Sequence, residues 1–592
     1  MSRRRRWRLV RRRALIGAGL TVALLAPCAV WAGMRGRSVQ THLVAAARLA
    51  QTLRQQVAAG EPAAAAATLT RLRAETDLAQ DSAADPLWRA GTALPGVGDD
   101  IAAVNTVVAV LVELAAEGLP ALARAAEGVN LTDLAPRAGV LPVGVIGEAA
   151  PTLDAAERSF ARASTRVAAI PLDGLTAPVA AAVVKLRAEL AAAASQTATV
   201  ARAGRLIPAM LGADGPRVYL LMFQNLAEVR ATGGMPGAFA VVRADRGRVR
   251  VIDQGSAAGL RPFPSPVLAL DPARRALYSD RLGAFPADVN LTPDFPTAAR
   301  LFAEMYRRRS GRTVDGVLAT DPVALSYLLP ALGPVPVAGG PTLTAGDVVR
   351  TLLSRVYLTI GSTQEQDRYF AAATRAVFQA LTQRRPQPRA LVDGLARATR
   401  ERRLLVWSAR PAEQRELATT DLAGQLPVVD GPRPLLGLYL NDGSGAKLGY
   451  YLRPAATVTA GRCWADGRRE LTVRVQLSSV APRSGLPRAV TGLALAGDPT
   501  TARTLLVLVA PARGGVVSAT VDGRPTPLGA GRESGRPAAV LTLDVPAGGA
   551  RVAQIAVVSG PGATGAPRLW TTPMATPWKV LHRSAESCTP AT

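Results

Sequence analysis

The chain has 592 residues and carries 70 Lys and Arg against 44 Asp and Glu, a formal charge of +26. That length excludes a single compact core, because cores stop growing at roughly 250–300 residues. His42 and His582 are the only histidines, which excludes a His-based zinc site and a Ser-His-Asp triad, and an aromatic content of 4% is too low for the stacking platforms of a nucleic-acid binder.

The first thirteen residues hold eight arginines and no acid, and residues 14–34, ALIGAGLTVALLAPCAVWAGM, carry no charge. A helix of that length spans about 30 Å, the thickness of a bilayer core. Arginines before a first span hold that end in the cytoplasm. The pattern therefore predicts a single-pass protein of the cell membrane, with a basic cytoplasmic tail at 1–13 and a transmembrane helix at 14–34. The bulk of the chain then lies outside the cytoplasm. A cleaved signal peptide is the competing reading, but its apolar region is usually shorter, about 7–15 residues, and a small-x-small site is expected after it. Removing the eight N-terminal arginines from +26 leaves +18, nearly all of it Arg, since the only lysines are Lys185, Lys447 and Lys579. GC-rich coding explains Arg over Lys but not Arg over acid. An excess of Arg outside the membrane suits anionic lipid or a polyanionic envelope polymer.

Residues 35–212 read as an extracytoplasmic helical region. Leu43, Leu49, Leu53 and Val57 make one apolar face, and Ile101, Val104, Val108 and Leu111 make another. Breaks are expected at Asp85–Trp88, at Leu94–Gly98 and across 131–147. Residues 213–453 alternate between strand and helix, which predicts an α/β domain. VYLLMF (Val218–Phe223) has the continuous apolar run of a buried strand. AFAVVRA and RVRVIDQ flank Asp245–Gly247 as a hairpin. Helices are expected at Thr297–Arg309, Asp347–Val356 and Gln364–Gln383, with strands at GVLAT, PVPV, RLLVWS and LLGLYLN. From 454 to 592 the helical period vanishes. TVTAGRCW, ELTVRVQLSS, AVTGLALA, TLLVLVAP, VVSATVDG, AVLTLDVPAG and ARVAQIAVVSG are short alternating strands, a β-sandwich pattern of immunoglobulin-like size. Cys463 and Cys588 are an even pair beyond the span and form a candidate disulfide in an oxidising compartment, or else two separate thiols.

The densest polar motif is QNLAEVRATGG, Gln224 to Gly234, directly after the VYLLMF run. A strand-to-turn connection needs only the glycines. Gln224, Asn225, Glu228, Arg230 and Thr232 then read either as a structural corner or as a polar mouth at the carboxyl end of a buried strand, where open α/β sheets place ligands. Arg230 offers a planar fork to phosphate or carboxylate. Asp294 and Asp321 precede helices and read as N-caps. Asn290 has no such local job and is a pocket candidate. Lys447, in GAKLGYY, reads as an ordinary loop residue with a pocket cation as its alternative.

QNLAEVRATGG, DVNLTPDFP (Asp288–Pro296) and VDGVLATDPVAL (Val314–Leu325) resemble a family of large, single-span actinobacterial and related membrane proteins that carries a domain of unknown function. A more distant resemblance is to the LytR-CpsA-Psr family, which transfers glycopolymers from polyprenyl-pyrophosphate carriers outside the membrane. It is carried by VDGVLATDPVALSYLLPALGPVPV, LTAGDVVRTLLSRVY and DRYFAAATRAVFQAL. That resemblance implies an α/β domain in which Arg355 and Arg368 join Arg230 around a phosphate. The chain departs from that family where Asn225, the ATGG turn and DQGS (Asp253–Ser256) replace its acidic motifs. Magnesium held by Asp253 is therefore weakly supported, and no cofactor is expected. The combined expectation is a multidomain fold: a single N-terminal transmembrane helix, a helical region, an α/β LytR-CpsA-Psr-like domain and a C-terminal all-β sandwich. Its expected function is to bind an anionic polyprenyl-phosphate or glycopolymer-type ligand, with catalysis left open. The alternative is a non-catalytic envelope scaffold or adhesion protein.

Overall fold

The structure is a computed structural model that describes residues 34–56, 61–128, 139–384 and 386–583. The described residues fall into two compact units, one helical up to Ala209 and the other built mainly from Met210 onward.

In the helical unit, Val110 and Leu114 pack with Phe160, Ala163, Val167, Val183 and Leu190. A second cluster joins Val39, Ala79, Ala83, Trp88 and Val108. The 3–4 spacing of these apolar positions turns one stripe of each helix inward. The break at Asp85 is a cap: its Oδ1 accepts from the Leu87 amide at 2.9 Å and the Trp88 amide at 3.4 Å. One described helix, Gly98–Ala125, is long and apolar enough to cross a membrane, although Val108, Val110, Leu114 and Ala115 within it are buried in the unit's own core. The span expected at 14–34 lies outside the described residues except for Met34, which is helical with the residues up to 56.

The second unit opens with a mixed sheet of β1 (Arg217–Arg230), β2 (Gly233–Asp245), β3 (Arg248–Ser256), β4 (Gly316–Thr320) and β5 (Leu405–Ser408), in the order β3-β2-β1-β4-β5. The β2–β3 turn is Arg246-Gly247, both at positive φ (48° and 78°), as a two-residue type I′ hairpin requires. β1 and β4 run parallel, and the crossover between them includes the Phe295–Ser310 helix. Leu220 and Met222 of β1 pack on Phe295, Phe302 and Met305. The alternation of a strand sends Leu221 and Phe223 to the opposite face. PVPV forms only an isolated bridge, Val335 to Leu343, rather than the expected strand.

Two further sheets form the C-terminal sandwich. One has β11 (Arg524–Pro525), β10 (Gly515–Val521), β14 (Ala550–Val558), β8 (Arg469–Ser479), β7 (Leu452–Cys463) and β16 (Lys579–Arg583), in that order. The other has β12 (Gly529–Glu533), β13 (Arg536–Val545), β9 (Ala502–Val509), β6 (Leu435–Asp442) and β15 (Arg568–Thr571). Alternate residues such as Leu438, Leu440, Val473, Val475, Leu506 and Leu541 meet between them. AVTGLALA supplies no strand; Arg488–Thr491 is a short helix. LLGLYLN, read with the α/β region, is β6 of this sandwich and pairs with β9. Its other face carries Leu435 and Tyr439 into the core of Phe295 and Leu405. The α/β layer and the sandwich thus share one core, which is why they make one unit. Cys463 is disulfide-bonded; Cys588, its expected partner, lies outside the described residues.

Candidate functional site

The face of β1 that carries Leu221 and Phe223 forms one wall of a cavity of about 730 Å³, within the range of about 300–1,000 Å³ typical of small-molecule sites. The Thr363–Gln383 helix forms the opposite wall with Phe370, Val377, Phe378 and Leu381, and Leu325, Leu328 and Leu352 complete an apolar lining. That helix lines the cavity from Thr363 to Leu381, a length of about 27 Å at 1.5 Å per residue. This exceeds the roughly 15 Å occupied by the chains of one bilayer leaflet.

One part of this lining is polar. Lys447 Nζ lies 2.9 Å from Glu228 Oε1 and 5.1 Å from the centre of the Tyr357 ring. Asn225 Nδ2 donates to the Tyr357 hydroxyl at 3.0 Å and to Glu228 Oε1 at 3.4 Å. Burial pushes the Tyr357 hydroxyl up, with the Glu228 carboxylate adding to the effect, so the phenol stays protonated. Partial burial also raises the Asp367 carboxyl above its ordinary value, with Lys447 opposing. Arg368 lines the cavity from an exposed position, and its Nε donates to the Gln364 carbonyl at 3.4 Å.

The expected arginine cluster does not form at this cavity. Arg230 is buried, and its Nη2 donates to Asp288 Oδ1 at 3.0 Å, with Asp442 Oδ2 3.9 Å from Nη1. Two carboxylates already claim its fork, so Arg230 holds β1 to the Asp288 turn and to β6 and does not line the cavity. Burial pushes Asp442 up, and the Arg230 charge opposes it. Arg355 lies on the π-helical turn Thr351–Arg355 near Asp347, also away from the lining. Of the three arginines, only Arg368 lines the cavity.

QNLAEVRATGG therefore divides into two jobs. Asn225 and Glu228 face the cavity. Thr232 Oγ1, Asn290 Nδ2 and the Gly234 amide converge on Gln224 Oε1 at 2.9, 3.1 and 3.3 Å. Asn290 also donates to the Gly234 carbonyl at 2.9 Å. This buried cluster locks the β1–β2 hairpin. The two glycines have separate reasons. Gly233 sits at φ +137°, and a Cβ on Gly234 would fall 2.2 Å from the Asn225 carbonyl oxygen. Gln224 spans both jobs, since its Oε1 holds the hairpin cluster while the residue also lines the cavity, and its Nε2 has no partner among the described residues.

Asp321 caps the Pro322–Leu332 helix as expected, accepting from the Ala324 amide at 2.7 Å, and also takes Arg403 Nη1 at 2.9 Å. Asp294 stands at the N-cap position of the Phe295–Ser310 helix, but its Oδ2 accepts from the Thr297 hydroxyl rather than from a backbone amide. Asp253 accepts from the Tyr306 hydroxyl at 3.1 Å. Among the described residues no three acids or imidazoles converge as a metal cage requires, so no step is assigned to magnesium. Tyr357 and Asp367 were missed at the sequence level, and Lys447 was read as a loop residue. Its rarity, as one of three lysines, was the only local signal.

Residues 214–357 match the family model described as Protein of unknown function (DUF4012). The match covers β1 to β4 and ends at Tyr357, so Asp367, Arg368 and Lys447 of the polar cluster lie beyond it. No curated protein matches the chain.

Proposed function

We propose that this is a membrane-anchored, extracytoplasmic cell-envelope protein whose second unit binds an amphipathic anionic ligand of the polyprenyl-phosphate or glycopolymer-lipid class. The observation that supports this reading is the long apolar cavity with Lys447, Tyr357 and Asn225 grouped in its lining. An apolar chain gains about 25 cal/mol for each Å² removed from water, and Lys447 with the protonated Tyr357 supplies charged and neutral donors to a phosphate. The arginines at 3–13 and the uncharged stretch 14–34 fit an anchor with its charged end in the cytoplasm; under this reading the cavity lies on the side where envelope lipids present their heads. The reading is one of binding, and no residue is assigned a catalytic role.

The test uses the full chain in detergent and compares prenyl phosphate with prenyl alcohol of the same length. Prenyl phosphate should bind more tightly than the alcohol, and Lys447→Ala should remove most of that difference while leaving alcohol binding nearly unchanged. Equal affinity for the two lipids in the wild-type chain would count against an anionic ligand. The scaffold reading is favoured by one observation, the structural use of Arg230, Thr232 and Asn290 in the hairpin; it predicts no saturable binding of either lipid.

A further inference from the structure

The charged groups around the cavity are nearly balanced. Lys447 and Arg368 face Glu228, Asp367 and Asp321 in the lining, and Asp321 is already claimed by Arg403 at 2.9 Å. Two cations and two acids remain. A head group with several negative charges finds no surplus of positive charge there, and it meets Glu228, whose side chain is only 11% exposed. Like charges brought together in a partly buried site are strongly disfavoured.

The same groups define what fits. Lys447 spends one of its three N–H donors on Glu228 and keeps two. The Tyr357 hydroxyl accepts from Asn225, so its own proton is left for another acceptor. Gln224 is 1% exposed, its Oε1 is saturated by three donors, and its Nε2 is unpartnered among the described residues while the residue lines the cavity. A buried donor without a partner is costly unless a ligand or water supplies an acceptor. Glu228 is the complementary element: Lys447 and Asn225 both address its Oε1, which leaves Oε2 to accept from a ligand hydroxyl.

Resting on the lipid-binding reading above, we infer that the site selects a head with one negative charge beside hydroxyl donors, a glycosyl phosphodiester on an apolar chain, and discriminates against a pyrophosphate. Lys447 and Tyr357 hold the single anionic phosphate, and Glu228 accepts from a sugar hydroxyl. Glu228 is the specificity residue, because it rewards the hydroxyl and repels the second phosphate.

The experiment measures equilibrium binding to the full chain in detergent micelles of four probes with one common prenyl chain: the alcohol, the monophosphate, the pyrophosphate and the phosphoryl-hexose. The phosphoryl-hexose should bind at least about tenfold more tightly than the pyrophosphate, a modest discrimination for one like-charge contact. Glu228→Gln should reverse the ranking by strengthening pyrophosphate binding and weakening the phosphoryl-hexose. The wild-type ranking needs no variant, so it stands even where Glu228→Gln misfolds. Pyrophosphate binding as tight as or tighter than the phosphoryl-hexose in the wild-type chain overturns the inference but leaves the lipid site intact. So does a folded Glu228→Gln chain with the wild-type ranking. Failure of all four probes to bind overturns both the inference and the reading beneath it.

Discussion

Replacing Arg230 by Met separates a structural arginine from a ligand-binding one. The guanidinium is buried between Asp288 at 3.0 Å and Asp442 at 3.9 Å, and removing one partner of a buried ion pair typically costs about 3–5 kcal/mol because the remaining charge is stranded. Asp288 keeps Arg281 Nη2 at 2.6 Å, while Asp442 keeps only its hydrogen bonds from Ser444, Gly445 and Ala446. The loss should therefore fall at the lower end, about 3 kcal/mol. In domains of 150–250 residues each kcal/mol moves the midpoint by about 2–4 °C, and less in larger ones. The second unit is larger still, so a fall of about 4 °C is expected in its calorimetric transition. A second replacement, Asp442→Asn, on the Arg230→Met background should recover part of the loss, because Asp442 is the carboxylate left without a cation, and coupled neighbours behave this way. Below the transition, affinity for prenyl phosphate should stay within about twofold of wild type, since Arg230 does not line the cavity. A midpoint within about 1 °C of wild type, together with lost ligand binding, would refute this account of Arg230.

Gly234→Ala should destabilise the β1–β2 hairpin more than a typical surface change of about 0.5 kcal/mol, because its Cβ would meet the Asn225 carbonyl at 2.2 Å; chemical denaturation measures this. Glu304, bonded by Arg307 and Arg308, has its carboxyl lowered to about 2, first through the Arg307 hydrogen bond. A depressed folded-state value stabilises the fold above the unfolded carboxyl range near 4.5, and this contribution is lost as pH falls toward 2. Glu304→Gln should thus cost about 0.3–0.5 kcal/mol at pH 7, the scale of helical surface pairs, and close to nothing at pH 2. A cost that stays constant across that range would contradict the assignment.

Much of the fold was legible from short-range pattern. The hairpin at Arg246-Gly247, the strand GVLAT, the helix after Asp321 and the helix ending at Gln383 follow from turn chemistry, alternation, capping and 3.6-residue periodicity, all local signals. β6 escaped because LLGLYLN is apolar on both faces, and such a run says that a strand is buried without saying in which sheet. PVPV has a strand's length, but its prolines leave few amides for a ladder. The site was harder. Asn225 and Glu228 lie in the motif that drew attention, yet Arg230, two residues on, turns away because Asp288 and Asp442 reach it from 58 and 212 positions along the chain. Nothing local distinguishes a guanidinium waiting for a phosphate from one already paired. Lys447 joins the cavity only because the segment after β6 returns to β1, a tertiary fact absent from any window of the sequence.

The most direct measurement is the binding stoichiometry of prenyl phosphate for the wild-type chain and for Val377→Trp. Val377 lines the apolar wall, and a Trp there takes up cavity space about 15 Å along the helix from Asp367. Saturable binding near one lipid per wild-type chain, lost in a Val377→Trp chain with an unchanged melting transition, is the expected result. Equal binding by the two chains, or no saturable binding by the wild type, would contradict a lipid-holding cavity.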